Sequence, residues 1–211
     1  LTIDKTGIID FILDNTGTEL ATDLVLVDFL LSLGFEHIRL HVKYHPTFVS
    51  DTTQYDIISF LTRLYFDRLP SPTHRQLSER IMAGLQKRLE IHPDIFWNSS
   101  HFMWEIAPET TLANMLVQSS LVIFKGDANY RRLVDDALWE TTTPFAQAVH
   151  YCPAPFAALR TMKSDTVVGL PDGLAQTLDT VDPQWRSNGK RGVIQFAAPA
   201  SAPANASGPG K

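Results

Sequence analysis

The chain has 211 residues, 44% of them hydrophobic and 19% charged, which is typical of a globular protein with a sizeable core. Its formal net charge of −5 argues against nucleic acid as a partner, because clustered lysine and arginine bind phosphate backbones. No apolar run is long enough to cross a bilayer, so a membrane partner is not expected. The single cysteine, Cys152, excludes an internal disulfide and favours a reducing compartment.

The first part of the chain alternates between strand and helix patterns. An apolar run over residues 8–13 predicts a short buried strand. Apolar residues at helical spacing over 19–33, followed by Gly34, predict a helix with its C-cap. A second strand is predicted over 37–43, and a second helix from "SDTT" to about residue 69.

The second part of the chain is less regular. A long helix is predicted over 75–91, a further helix over 109–118, and short strands over 121–124, 156–162 and 193–196. The aromatic segment between the two helices fits no regular element. After Phe196 the sequence is rich in alanine, proline, glycine and serine, which predicts a disordered tail. One domain is therefore expected over 1–197, with a tail over 198–211.

This alternation predicts an α/β fold. Its mainly parallel, Rossmann-like sheet would lie between two layers of helices, in a three-layer α/β/α arrangement. Ligands bind such sheets beyond the carboxyl ends of the strands, where the strand-to-helix loops collect. The search for a functional site therefore begins at the ends of the predicted strands.

Polar side chains follow three of the predicted strands. Asp14 and Asn15 end the first, Asp51 precedes a helix after the second, and "FKGDANYRRL" follows the strand over 121–124. Two carboxylates and an amide oxygen suit Mg²⁺ or Mn²⁺. Taken singly, the same residues are common helix caps, and "SDTT" is a good cap sequence. Their occurrence at three junctions favours a metal site.

The third junction is also rich in positive charge. Lys125 and Arg131, with the later Lys163, could neutralise an anionic ligand. The simpler interpretation is a solvated helix face with ordinary turn residues, in which Arg131 and Arg132 point to water. The clustering favours ligand binding.

Five motifs together resemble the damage-control phosphatase family. They are "LDNTGTELATDLVLVDFLL", "FVSDTT", "FKGDANYRRL", "TPF" and "LRTMKS", in the order and approximate spacing of that family. The last contains an RTxK signature, residues 160–163, as in the third subfamily, which includes proteins described as protein-glutamate O-methyltransferases. The resemblance extends to about Phe196. Family members also carry a helical N-terminal region, so this chain is expected to be the C-terminal catalytic part of a longer one.

The resemblance assigns roles to individual residues. It implies that Asp14, Asn15 and Asp51 hold a divalent metal, which would be Mn²⁺, Ni²⁺, Co²⁺ or Mg²⁺. With the positive charge noted above, it implies that the phosphorylated substrate contacts Asp14, Asn15, Lys125, Asp127, Ala128, Asn129, Tyr130, Arg131 and Lys163. Family patterns show leucine at the position of Ala128, which changes packing more than charge. Under the methyltransferase description, Glu19 and Asp51 would bind S-adenosylmethionine.

The leading hypothesis is a metal-dependent phosphomonoester hydrolase. The resemblance implies sugar phosphates such as fructose 1-phosphate and fructose 6-phosphate as substrates, with metal-bound water as the favoured nucleophile and Asp127 to orient it or act as base. Direct attack by Asp14 stays open. The alternatives are an S-adenosylmethionine-dependent protein-glutamate O-methyltransferase and a non-catalytic sugar-phosphate or metal-binding module. The expected location is the cytoplasm, with the nucleus as a second compartment, and the oligomeric state is not predicted.

Overall fold

A single six-stranded sheet organises the chain in the computed structural model, which describes residues 4–66 and 72–199. The spatial order of its strands is β3-β2-β1-β4-β5-β6. The strands are β1 (Ile8–Ile12), β2 (His37–Lys43), β3 (Leu89–Asp94), β4 (Ser119–Lys125), β5 (Phe156–Thr161) and β6 (Gly192–Ala197). All neighbours pair parallel except β5 and β6, which are antiparallel. The predicted α/β fold with a mainly parallel sheet is confirmed.

Helices cover both faces of this sheet. They are α1 (Thr18–Ser32), α2 (Gln54–Phe66), α3 (Pro72–Leu85), α4 (Thr111–Val117), α5 (Asp127–Leu133), α6 (Phe145–Ala148) and α7 (Leu174–Val181), with 3₁₀ turns at Ile95–Asn98 and Met103–Glu105. None of the helices in the described part of the chain is long and apolar enough to span a membrane.

Alternation of side chains along β1 divides the core into two layers. Ile9, Phe11 and Leu13 pack with residues of α1, α2 and α3. Ile12 belongs to the opposite cluster, which includes residues of α4, α5 and α6. Because successive side chains of a strand point to opposite faces, an apolar run of this kind marks a strand covered on both sides.

A charged residue, Asp10, also lies within β1, where neighbouring side chains balance its negative charge. Asp10 is buried and accepts two hydrogen bonds from Arg39, each 2.7 Å long. His41 Nε2 lies 2.7 Å from the same carboxylate. Although burial opposes ionisation, the hydrogen bonds from His41 and Arg39 hold the pKa of Asp10 below its usual value. The strand therefore tolerates an aspartate because its partner strand supplies the donors.

The helix predicted over 75–91 is confirmed as far as residue 85 and is wrong over its last six residues. Helix α3 ends at Leu85, and the chain then forms β3 at the edge of the sheet. Arg88 N–H closes the turn on Gly84 O, and Ile38 N–H donates to Arg88 O at 2.8 Å. Pairing with β2 thus overrides the local preference. Pro93 is tolerated there because an edge strand needs ladder hydrogen bonds on one side only.

The other predicted elements agree with the structure to within a few residues, apart from two predictions beyond the described residues. The end of the second helix near residue 69 is one of them. The tail is the other, except for its first two residues. Helices α5, α6 and α7 were not predicted as elements.

Candidate active site

The site lies where the strand order reverses. β1 pairs with β2 on one side and with β4 on the other. Chain connections leave these strands in opposite directions, so a crevice opens beyond their carboxyl ends. Asp14 follows β1, Asp51 follows β2, and Asp127 follows β4. The parallel pairing brings these junctions to the same rim.

The chain segments that follow β1 and β2 are joined by backbone hydrogen bonds. Asn15 and Asp51 form an isolated β-bridge. Thr16 N–H donates to Ser50 O at 2.7 Å, and Thr52 N–H donates to Asp14 O at 2.9 Å. The Ser50 hydroxyl adds a hydrogen bond of 2.7 Å to Asn15 Oδ1. The three residues implied as metal ligands therefore lie on two segments that hydrogen bonds hold together.

A buried lysine lies between the carboxylates of Asp14 and Asp51. Lys43 Nζ, at the end of β2, is 2.9 Å from Asp14 Oδ1 and 3.5 Å from Asp51 Oδ1. The other oxygen of Asp51 accepts the N–H groups of Thr47 and Phe48 at 3.0 and 2.9 Å. Both carboxylates thus present one oxygen to the same small volume.

The donor chemistry of Asp14, Asn15 and Asp51 fits a hard divalent cation. Two carboxylates converge, and Asn15 lies on the bridged backbone beside them, with its amide nitrogen toward Asp14 Oδ2 and its amide oxygen on the Ser50 hydroxyl. Mg²⁺ and Mn²⁺ take oxygen ligands and often use only one or two carboxylates from the protein. Within residues 4–66 and 72–199, no group of three or more histidine, cysteine, aspartate or glutamate side chains is arranged to hold a metal. Asp14, Asn15 and Asp51, the ligand set that the resemblance implies, comprise two acids and an amide.

A second arrangement of polar groups follows β4 and β5. Asp127 Oδ1 accepts hydrogen bonds from Arg160 Nε at 2.7 Å, from Lys163 N–H at 3.2 Å and from the Ser164 hydroxyl at 3.2 Å. Arg160 is buried, and its guanidinium stacks 4.3 Å from the Tyr130 ring centroid. Its Nη2 donates to Ser164 O at 3.0 Å and to Ser164 Oγ at 2.7 Å. In the RTxK signature, the arginine thus orients Asp127 and the loop that carries Lys163.

A cleft of about 500 Å³ opens beside these groups. Its walls come from the start of α1, from the ends of β4 and β5, and from β6. They include Thr18, Glu19, Thr22, Lys125, Gly126, Asp127, Arg160, Lys163 and Ile194. Asp14, Asn15 and Asp51 are not in the lining. Glu19, which accepts a hydrogen bond from Asn15 Nδ2 at 3.0 Å, connects the two halves of the site.

Two carboxylates of α1, Glu19 on the cleft wall and Asp23 outside the lining, have unsatisfied oxygens. Among the described residues, neither Glu19 Oε1 nor Asp23 Oδ2 has a hydrogen-bond partner, although both atoms are buried. Asp23 Oδ1 lies 2.9 Å from Lys125 Nζ. Burial raises the pKa of Asp23 to about 6, against the opposing effect of Lys125. Of these two residues, Glu19 is the one that lines the cleft.

Not every residue implied by the resemblance reaches the cleft. Asn129 is buried, and its Nδ2 donates to the backbone oxygens of Ile12, Leu13 and Lys125. Tyr130 is also buried; its hydroxyl donates to Gln195 Oε1 at 2.9 Å and accepts the N–H of Val168 at 3.2 Å. In this conformation, both side chains hold the ends of strands and loops.

The remaining two residues of "DANYR" line a different, shallower pocket. Ala128 is exposed, and Arg131 Nε pairs with Asp136 Oδ1 at 2.7 Å. Neighbouring Arg132 does not simply point to water, because it donates to backbone oxygens in the 96–101 loop. Of the implied substrate residues, the cleft therefore brings together Lys125, Asp127 and Lys163.

Sequence reasoning missed two residues of this site. Lys43 has the same pattern in the sequence as Asp14, a charged residue at the carboxyl end of a buried strand. Asp23 lies within a helix, and no motif or spacing in the sequence marks it as a site residue. Its role depends on Lys125, more than a hundred positions away.

Comparison with known proteins places these observations in a family context. The family described as "Damage-control phosphatase ARMT1-like domain" matches residues 1–178. Relatives named Damage-control phosphatase ARMT1 are 40% identical over 201 residues in Danio rerio, 40% over 198 residues in Xenopus tropicalis and 36% over 198 residues in Homo sapiens. These alignments cover 90%, 90% and 89% of this chain but 43% of each relative. The chain therefore spans less than half the length of these curated relatives.

Proposed function

The chain belongs to the damage-control phosphatase family with the ARMT1-like domain, and we propose that it forms the metal-binding and phosphate-binding part of a sugar phosphate hydrolase. The observation that carries this proposal is the position of Lys43 Nζ, 2.9 and 3.5 Å from the carboxylates of Asp14 and Asp51. Those carboxylates converge at the strand-order reversal, directly beside a cleft that contains further cations.

The metal ligands would be Asp14, Asn15 and Asp51. When bound, a divalent cation acts as a Lewis acid that withdraws charge from the phosphoryl group. The chain supplies the remaining positive charge through Lys125 and Lys163, which line the cleft. Phosphoryl transfer depends mainly on positioning and electrostatic stabilisation, so this set of groups is adequate.

Asp127 is the candidate for orienting the attacking water. Its hydrogen bonds to the described residues all end on Oδ1, which leaves Oδ2 for a water or a substrate hydroxyl. Asp14 is less suited to attack phosphorus itself. Its Oδ1 accepts from Lys43 at 2.9 Å, and its Oδ2 accepts from Asn15 Nδ2 at 3.1 Å. Trapping a phosphorylated Asp14 would contradict attack by water.

The unsatisfied oxygen on α1 supports a polyhydroxylated substrate. Glu19 lines the cleft, and a rotation of its carboxylate would turn Oε1, which is buried without a donor in this conformation, toward a ligand. A sugar hydroxyl supplies a donor, whereas a simple aryl phosphate does not. Glu19→Ala should therefore raise KM for hexose phosphates more than for a hydroxyl-free aryl phosphate. Equal effects on both substrates would remove the support for sugars.

The direct test is phosphate release from fructose 1-phosphate, fructose 6-phosphate and other sugar phosphates. Chelator-treated protein would receive Mg²⁺, Mn²⁺, Co²⁺ or Ni²⁺ singly, alongside Asp51→Asn and the control Asp28→Asn, which alters a surface ion pair with Arg80. We expect metal-dependent release that Asp51→Asn abolishes and Asp28→Asn preserves. If folded protein releases no phosphate with any of these metals, the remaining interpretation is a non-catalytic binding module. Calorimetry with S-adenosylmethionine tests the methyltransferase alternative.

A further inference from the structure

Lys43 is a buried lysine held between two carboxylates. Its side chain is 6% exposed, and those of Asp14 and Asp51 are 4% exposed. Besides the two carboxylates, its Nζ donates to the backbone oxygen of Asp14 at 3.3 Å. Lysine is almost never buried without such partners, because desolvating an ammonium group is costly. The contact between Lys43 and the two aspartates is therefore a specific structural feature of this edge of the sheet.

The backbone determines where this ammonium group lies. Lys43 ends β2, and its N–H donates to Thr52 O at 3.1 Å, while Thr52 N–H donates to Asp14 O at 2.9 Å. Lys43 also forms an isolated β-bridge with Thr53. The chain segments that carry the lysine and both aspartates are thus bonded to one another. The side chains meet because their backbones do.

We propose that Lys43 is the resident counter-cation of the metal site and acts as a positioning residue through Asp14 and Asp51. It stabilises the two facing carboxylates when no metal is bound, and its positive charge remains beside them after a metal binds. This inference rests on the proposed metal site and adds a residue that the family resemblance does not assign.

Charge arithmetic shows what this lysine does at each stage. Without metal, two carboxylates and one ammonium leave one net negative charge. A divalent cation converts that to one net positive charge, which attracts a phosphate dianion. With Lys43 neutralised, the loaded site would carry no net charge. Lys43 therefore weakens metal binding but strengthens binding of the anionic substrate.

The metal ligands retain other anchors when the lysine is removed. Asp51 Oδ2 is held by the N–H groups of Thr47 and Phe48, and Asp14 Oδ2 is held by Asn15. Loss of the counter-charge therefore leaves the carboxylates in place but facing each other without compensation. A bound cation relieves that repulsion, and a ligand that binds only the native state raises its stability.

The experiment compares Lys43→Met with wild type and with Lys87→Met, an exposed lysine just ahead of β3. Thermal unfolding is recorded for chelator-treated protein and then during Mn²⁺ titration. We expect Lys43→Met to lower the metal-free Tm, to show a larger Mn²⁺-induced rise in Tm than wild type, and to saturate at lower Mn²⁺. Lys87→Met should match wild type. A Mn²⁺-induced rise no larger than in wild type would overturn the inference, since a purely structural lysine would lower both melting temperatures equally.

A double variant covers the case in which Lys43→Met does not fold. Lys43→Met combined with Asp51→Asn removes one of the two facing carboxylates, so it should fold where Lys43→Met alone does not, and it should have a higher metal-free Tm where both fold. No gain would show that Lys43 contributes packing and not counter-charge. If Mn²⁺ fails to shift even wild type, the metal site and this inference both fail. Metal binding without phosphate release would instead contradict only the proposed catalytic function.

Discussion

The carboxylate of Asp14 lies directly over the α-carbon of Gly126. A Cβ atom at Gly126 would stand 2.0 Å from Asp14 Oδ2 and 2.5 Å from Asp14 Cβ. Gly126 also has a φ of +84°, in a region that favours glycine. The turn from β4 into α5 can therefore pass beneath the end of β1 only because this residue has no side chain.

Gly126→Ala should disable the proposed metal site. The new methyl group would displace Asp14, and the positive φ would add strain, so we expect destabilisation of about 1–3 kcal/mol and loss of Mn²⁺ binding. Gly17→Ala is the control, because Gly17 also precedes a helix, has a φ of +74° and a ψ of −132° outside the left-handed helical region, and its Cβ would meet nothing within 4 Å. Urea unfolding and Mn²⁺ titration measure both effects. Similar losses in the two variants would mean that backbone strain, and not the contact with Asp14, is responsible.

Arg160→Lys should lower kcat more than it changes KM. Arg160 donates to Asp127 from Nε and to Ser164 from Nη2, and lysine has one nitrogen in place of this planar fork, so Asp127 would lose its fixed orientation; misplacement by about 1 Å can reduce the rate about 100-fold. Arg186→Lys is the control, because Arg186 also pairs with an aspartate and stacks on an aromatic ring, Trp185, outside the cleft. Steady-state kinetics with the best sugar phosphate would separate kcat from KM. A pure rise in KM would argue that Arg160 binds substrate directly.

Burial of Asp23 should make stability depend on pH between about 4 and 6. Its pKa rises from 3.8 to about 6 on folding, so the native state binds the proton more tightly and stability falls as the pH rises through this window. A shift of this size corresponds to about 3 kcal/mol. Asp23→Asn removes the titration and should gain stability relative to wild type above pH 6.

The measurement is the free energy of unfolding from pH 4 to pH 7 for wild type, Asp23→Asn and Asp28→Asn. Asp28 lies on the same helix in a surface pair with Arg80, so its variant controls for charge removal from α1. Parallel curves for wild type and Asp23→Asn would show that Asp23 has no raised pKa.

Burial should decide the strength of two arginine–aspartate pairs with the same geometry. Arg39 donates to Asp10 at 2.7 and 2.7 Å inside the sheet, and Arg80 donates to Asp28 at 2.7 and 2.8 Å on the surface. Arg39→Ala leaves a buried carboxylate without its bidentate cationic partner and should cost about 3–5 kcal/mol. Arg80→Ala should cost less than about 1 kcal/mol. Chemical denaturation of both variants tests this, and equal costs would contradict the role given to burial.

The spacing of apolar residues predicted the first strands and helices correctly but failed to predict β3 at the edge of the sheet. Strand β2 matches its prediction, and α1 lies within one residue of its own at each end, because apolar spacing reports directly which face is buried. Strand β3 was missed, since its six residues have mixed burial and become a strand only through pairing with β2. The secondary-structure propensity of a short segment contains no information about a strand that pairs with it from elsewhere in the chain.

Adjacency in sequence also misled the grouping of "DANYR". The segment is one helical turn and a half, so its side chains point in different directions around α5. Asp127 reaches the cleft, while Asn129 and Tyr130 enter the interior. The structure thus separates residues that the motif groups together.

The sequence by itself determined the kinds of groups available and the strands that end in them, because both follow from residue type and local periodicity. It also carried the motifs of the phosphatase family. Only the tertiary structure decided that Lys43 bridges Asp14 and Asp51, that Gly126 makes room for Asp14, and that Arg160 orients Asp127. Each of these contacts joins the ends of different strands. Their closeness depends on which strands share a ladder of hydrogen bonds, and that non-local choice leaves no periodic signal in the chain.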